Sequence, residues 1–337
     1  MATLSNYALT LADWRARLNP QGIVDQVIET MNETNPVLQD MKWAEGNLPT
    51  GNMTTQRTAL PEVYKRSLNA GVPNSKSRVK QIVDTCTLFE AHSQVDTKLL
   101  KLMNDPERFR ASEDLAFVEA FNQSLADNLF YGDSATDEDT FNGLHVRYNT
   151  LTGAKGTNGY QVVSAGGAGS DNTSAWFVAW GDATVHGIFP KGSQAGLNVE
   201  QKGEQRVTDA SGNAYFAYVT KFEWNPGLAV RDLRGISRVA NIDVSDLFDV
   251  STTADEKKAL FEKFILAKNR IRNLNGRVTP AWYVSDTMYS FFESFLSDKN
   301  NVYITRQELM GKMPELYLAG YPVRKCDAIS EAEATIS

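Results

Sequence analysis

The sequence predicts an α+β chain in which two helix-forming stretches bracket a long strand-rich middle, with a polar, non-helical segment ahead of them. Three observations carry this. Apolar residues recur at spacings of three and four over 106–131 and again over 253–274. Short apolar runs separated by turn residues fill 142–250, and 46–85 shows no helical period, with Pro and Gly spread through it. At 337 residues the chain suffices for one elaborated domain or two.

Residues 1–45 read as an extended or partly helical arm. Leu11–Leu18 makes a short amphipathic turn or two, Asn19-Pro20-Gln21-Gly22 breaks it, and Ile23–Asn32 is a second short helix. Such an arm buries little against itself and needs a partner surface. Residues 46–85 form an extended loop ending in KSRVKQIVDT, where Lys76, Arg78 and Lys80 alternate with Ser77, Val79 and Gln81. Period two puts the charges on one face of a strand. Thr54–Leu60 is the expected partner strand, and a lone two-stranded ribbon is marginal in water unless it lies on something else. Two readings of its cations Arg57, Lys65, Arg66, Lys76, Arg78 and Lys80 stand: a solvated edge that discourages aggregation, or contacts to acidic groups of a neighbouring subunit.

A helix follows over 106–131, with Asp105 as N-cap, Pro106 at N1 and Glu107 in the first turn. Ala111, Leu115, Val118, Phe121, Leu125 and Leu129 form one stripe, and Gly132 stops it. At about 1.5 Å per residue this rod is roughly 39 Å long, suited to lie across a sheet. Strand signals come next: WFVAW (176–180), a turn at Gly181-Asp182, TVHGIF, a hairpin turn at Asp209–Asn213, YFAYVTKFEW, and a turn at Asn225-Pro226-Gly227 into Leu228–Asp243. The Gly/Ser/Asn-rich stretch Ser164–Ser174 reads as a mobile loop. Thr253 and Glu256 form a capping box ahead of a stripe of Leu260, Phe264, Ala267, Ile271 and Leu274 that ends near Gly276. WYVSD reads as a buried strand and Met288–Leu296 as a helix. Thr305 and Glu308 are placed to cap another helix, and YLAGYPVRKCDAI closes the chain as a strand.

The chemistry the sequence excludes is broad. His92, His145 and His186 lack metal-ligand spacing, and Cys86 and Cys326 are far apart, so no zinc site, disulfide framework or cofactor is expected. No GxSxG elbow has a matching His and Asp, and neither GGAGSD (166–171) nor GAKGTNG (153–159) is followed by GK[ST]. Asp133–Asp139 lacks the Gly and terminal Glu of a calcium loop and reads as a solvated turn. The N-terminus has no basic segment leading into an apolar core, so no secretory signal, membrane span or disulfide-forming compartment is expected. A net charge of −7 speaks against a surface that grips nucleic acid and is compatible with a wall that only encloses it. No catalytic residues stand out.

Four segments in order, NGLHVRY (142–148), HGIFPKGSQAGL (186–197), FEWNPGLAVRDLRGISRVANID (222–243) and GYPVRKCDAI (320–329), beside the loop and the long helix, resemble the tailed-phage major capsid proteins. The similarity is to the Johnson fold, in the branch typified by the epsilon-fifteen-like short-tailed phages. That resemblance implies an N-terminal arm (1–45), an extended loop (46–85), a peripheral domain with the spine helix (86–251, helix 106–131) and an axial domain (252–337). The long-strand candidate Leu228–Asp243 precedes the G-x-P-V segment, which implies a rearranged topology. The resemblance further implies self-assembly into hexamers and pentamers of an icosahedral, commonly T=7, shell enclosing double-stranded DNA, in the virion and, during assembly, in the host cytoplasm. It implies separate scaffolding and portal proteins and, in some relatives, a cement protein. An encapsulin-like compartment shell and, from another class, a hydrolytic enzyme with a hidden carboxylate pair are the alternatives.

Overall fold

The computed structural model describes residues 33–102, 105–209, 211–249, 253–272, 277–296, 304–307 and 315–337. The two arm helices expected before Glu33, together with Leu274, Gly276 and Glu308, lie outside them. The described chain falls into two compact units: one of residues 88–126 and 196–226 with Glu33 and Thr34, the other of 35–87, 127–195 and 227–337.

The first unit is a three-stranded antiparallel sheet under a helix. Its strands are β4 (Phe89–Asp96), β8 (Asn198–Thr208) and β9 (Ala214–Trp224), in the order β4-β9-β8. The β8–β9 hairpin turns where the sequence places it: the Asp209 N–H donates to Asn213 O at 2.9 Å, and the Asp209 carboxylate accepts from the Ser211 and Asn213 N–H groups. Helix α1 (Pro106–Tyr131) starts with Asp105 accepting from the Arg108 N–H, and the chain passes into the second unit within it. Its packed face departs from the expected stripe. Phe121, Leu125 and Leu129 are buried, but Leu115 is 64% exposed and Val118 40%. Over the first turns Phe109 and Phe117 take the inner face instead, with Phe117 stacked on Phe222 of β9 at 5.4 Å and Phe121 beside Phe222 at 6.4 Å. Aromatic side chains bury more area than the aliphatic line beside them, so they set the helix rotation.

The second unit is built on a ten-stranded sheet. Its strands are β1 (Trp43–Glu45), β5 (Val162–Ser164), β6 (Asn172–Trp180), β7 (Val185–Phe189), β10 (Gly227–Val230), β11 (Ile236–Asp243), β12 (Thr279–Val284), β13 (Ile304–Gln307), β14 (Glu315–Leu318) and β15 (Tyr321–Lys325). The main path is β1-β7-β6-β12-β15-β14-β13, with β10 paired to β7, β11 to β6 and β5 to β11. Every residue of β6 is buried, and its stretch 175–180 reads as a continuous apolar run because both faces of the strand are covered. Phe177 faces Trp282 and the helices α2 (Ala254–Arg270) and α3 (Asp286–Phe295), where Phe261, Phe264, Phe291 and Phe292 close one core. Trp176, one residue along, faces Phe130, Tyr148 and Arg238 on the other side. The capping box of α2 is formed: Thr253 Oγ1 accepts from the Glu256 N–H, and Glu256 accepts from the Thr253 N–H.

Four expectations need correction. Leu228–Asp243 is two strands, β10 and β11, divided by a turn at Asp232–Gly235 in which Asp232 accepts from the Arg234 N–H and side chain. Both strands belong to the ten-stranded sheet. Val239, Ile242 and Leu247 pack in the same cluster as Phe261, Phe264 and Trp282. Thr305 lies in strand β13, paired with Tyr317, so it caps no helix. The closing segment is a hairpin: Ala319 (φ 51°) and Gly320 (φ 88°) make a two-residue turn that pairs Leu318 with Tyr321. The stretch 165–171 is pinned as well, with the Ala165 and Gly167 N–H groups donating to Ala240 O and Asn241 O at 2.8 Å.

Candidate functional site

The extended loop is an antiparallel ribbon of β2 (Gly51–Ala59) and β3 (Arg78–Thr85), joined by a 60–77 tip without regular structure. Its base is bolted to the second unit. Asp84, buried, accepts from Arg147 at 2.8 Å and from the Val230 N–H at 3.3 Å, while Gln56 Nε2 donates to Val230 O and Arg231 O at 3.1 and 2.8 Å. Gly51 permits the close start of the ribbon: a Cβ there would lie 2.1 Å from Asp84 O. Arg147 comes from the NGLHVRY segment and Val230 from the FEWNPGLAV segment, so two of the four sequence motifs serve to hold the ribbon.

Beyond the base the ribbon leaves its own chain. Every residue from Arg57 to Gln81 is exposed, and among them Leu60, Val63, Leu68, Val72 and Val79 are apolar. Val63 and Leu68 are 94% and 97% exposed. Local bonds shape the tip: Arg66 Nε donates to Ala70 O at 2.9 Å, and Ser75 Oγ donates to Glu62 O at 2.8 Å. An exposed apolar set this dense marks an interaction surface.

The cations read from sequence divide between settings. Arg78 and Lys80 lie on one face of β3, opposite Ala59 and Gln56. Arg57 pairs with Val79 and so lies on the opposite face. Lys65, Arg66 and Lys76 belong to the tip, because β3 starts at Arg78 and leaves Lys76 outside the period-two run. Among the described residues none of the six forms an ion pair.

Sequence reasoning missed a buried charge cluster that fastens the C-terminal segment. Arg238 of β11 and Glu333 pair at 2.7 Å, both out of contact with solvent. Arg238 also donates to Ser174 Oγ at 2.9 Å and Tyr148 O at 2.8 Å, and its guanidinium lies 4.7 Å over the Trp176 ring. Glu333 accepts from Tyr131 at 2.7 Å and from Ser174. Burial, then Glu333, holds the Tyr131 phenol far above its usual range, and burial lowers Arg238. Nearby, Asn241 exchanges two 2.9 Å hydrogen bonds with the Ile336 backbone. The available signal was an arginine between Ile236 and Val239 in a run otherwise apolar and small.

No cluster of three or more His, Cys, Asp or Glu able to hold a metal is present among the described residues. His186 is buried on β7, and burial pushes its imidazole down to about 4. Cys86 and Cys326 form no disulfide, the buried Cys326 thiol donates to Asn35 Oδ1 at 3.2 Å, and burial pushes the Cys86 thiol up to about 12. Asp133–Asp139 forms the exposed turn expected after α1, with Asp133 accepting from Ala135 and Thr136. No described helix is long and apolar enough to cross a membrane.

The family model of major capsid protein GP7 matches residues 19–337. Among solved structures, a chain of bacteriophage Epsilon15 matches at TM-score 0.77 and 27% identity, covering 100% of this chain and 99% of that one. The bacteriophage JBD30 capsid matches at TM-score 0.48 and 10% identity, covering 92% and 99%. The SrpI encapsulin of Synechococcus elongatus PCC 7942 matches at TM-score 0.40 and 14% identity, covering 70% and 96%. No curated protein matches the chain.

Proposed function

This chain belongs to the major capsid protein GP7 family, and from that premise we propose how its exposed ribbon and its two units serve the shell. The protein is a structural, shell-forming protein of a tailed bacteriophage. In the proposed assembly, hexamers and pentamers close an icosahedral capsid of T=7 geometry around the double-stranded DNA without reading its sequence. The extended loop (46–85) lies on a neighbouring subunit. Both compact units take part in the wall of the shell. Separate scaffolding, portal and cement proteins, and assembly in the host cytoplasm ahead of the virion, belong to the same proposal and rest on the family.

One observation carries it: the ribbon beyond Arg57 exposes apolar side chains that an isolated subunit has no reason to present. Basic side chains spread through the same ribbon keep it soluble before docking and favour an acidic partner. Size-exclusion chromatography with light scattering, followed by negative-stain electron microscopy, tests this. Capsomers or shells are expected as concentration rises. A compact monomer whose mass does not change with concentration overturns it.

A further inference from the structure

The second unit carries a basic trough in which, among the described residues, one of six cations is paired with a carboxylate. A cleft of about 180 Å³ is bordered by Lys155, Arg270 and Arg272, with Arg234 and Tyr160 beside them. It shares Lys155, Gly156 and Arg234 with a larger cleft of about 690 Å³ that adds Arg57 and Arg231. Arg234 is answered by Asp232, its Nε and Nη2 donating to that carboxylate at 2.9 and 2.8 Å. The other five cations pair with no carboxylate among the described residues. Arg270 is held in place by Tyr160 O and Val162 O and lies 4.8 Å over the Tyr160 ring, yet its Nε is buried without an acceptor. A half-buried arginine held in place with an orphaned donor, ringed by exposed cations, is set to receive an anion.

The same chain exposes the matching charge. The turn after α1 gathers Asp133, Asp137, Glu138 and Asp139 within seven residues, and none of these carboxylates forms an ion pair among the described residues. The turn is preformed by Asp133 and by Asp137, which accepts from the Asp139 N–H at 3.1 Å, so little order is lost on docking. Nucleic acid is the weaker candidate, because the basic patch is one local trough on a chain of net charge −7 and not a stripe along a face. We propose that the trough receives the acidic turn Asp133–Asp139 of a second copy of this chain. The inference rests on self-assembly as read above. Two different patches in contact make a head-to-tail interface, the kind that closes into rings.

Charge swapping tests it. One variant carries Lys155→Glu and Arg272→Glu, both exposed and neither holding the backbone; a second carries Glu138→Lys and Asp139→Lys, whose side chains do not shape the turn; a third combines them. Each single-patch variant is expected to melt with the wild type and to give at least tenfold fewer shells by sedimentation at low salt. The combined variant is expected to recover to within about threefold of wild type. Normal yields from either single-patch variant, or a combined variant as defective as its parents, overturn the proposal. Normal shells from the basic-patch variant that hold less DNA would instead assign the trough to phosphates. Wild-type protein run alongside separates the two readings: if it forms no oligomer, self-assembly itself fails, whereas failure of the swap alone leaves the capsid reading intact.

Discussion

Replacing Glu333 with alanine leaves the Arg238 guanidinium buried with no counter-ion, and the expected effect can be worked from its surroundings. Arg238 keeps Ser174 Oγ, Tyr148 O and the Trp176 ring, but these are neutral groups. Ser174 and Tyr131 lose their shared acceptor in the same step. Breaking a buried pair by removing one partner typically costs about 3–5 kcal/mol, since the remaining charge stays desolvated. For a domain of this size that corresponds to roughly 6–20 °C in Tm. Differential scanning calorimetry of the soluble subunit reads this directly. The companion variant Arg238→Met with Glu333→Leu removes both charges and is expected to regain most of the loss. Two outcomes refute the reasoning: Glu333→Ala melting within a degree of wild type, or the double variant melting lower than the single one.

Three further outcomes are expected. Reversing Lys76, Arg78 and Lys80 together to Glu leaves the subunit folded but lowers shell yield, partly restored by salt because exposed charges are screened over about 10 Å at 0.1 M; normal particles at low salt leave the solvated-edge reading. Phe121→Ala is expected to cost about 3–5 kcal/mol, whereas Leu115→Ala, on the exposed side of α1, changes subunit stability by less than about 1 kcal/mol; equal losses in urea denaturation mean that the helix face is misassigned. Burial depresses the His186 imidazole to about 4 against about 6.5 when unfolded, so as pH falls through that window the unfolded chain gains the proton first. Stability is therefore fully present above about 6.5 and declines by up to roughly 3 kcal/mol toward pH 4. In His186→Asn that part of the acid dependence vanishes, and an unchanged pH profile shows that another group is responsible.

Much of the local structure was legible in the amino-acid sequence. The capping box at Thr253 and Glu256, the N-cap at Asp105, the hairpin turn at Asp209–Asn213 and the period-two run into β3 depend on neighbours within a few positions, and each forms as read. The ribbon's cations were legible as well, since side-chain alternation alone assigns Arg78 and Lys80 to one face. Long-range choices were not. The rotation of α1 depends on Phe222 being opposite Phe117, roughly a hundred residues away, and a periodic stripe carries no record of that partner. Leu228–Asp243 and YLAGYPVRKCDAI each look like one strand until sheet pairing folds them at Asp232–Gly235 and Ala319-Gly320. The Arg238–Glu333 pair joins positions that composition cannot bring together, and only burial turns two common charges into a lock. Sequence by itself thus determined the elements, their caps and the charge pattern of the ribbon, because these follow from local sterics and hydrogen bonding. The tertiary structure decided which faces are buried, which charges are neutralised and which are left for a partner, because those outcomes are set by desolvation across the whole fold.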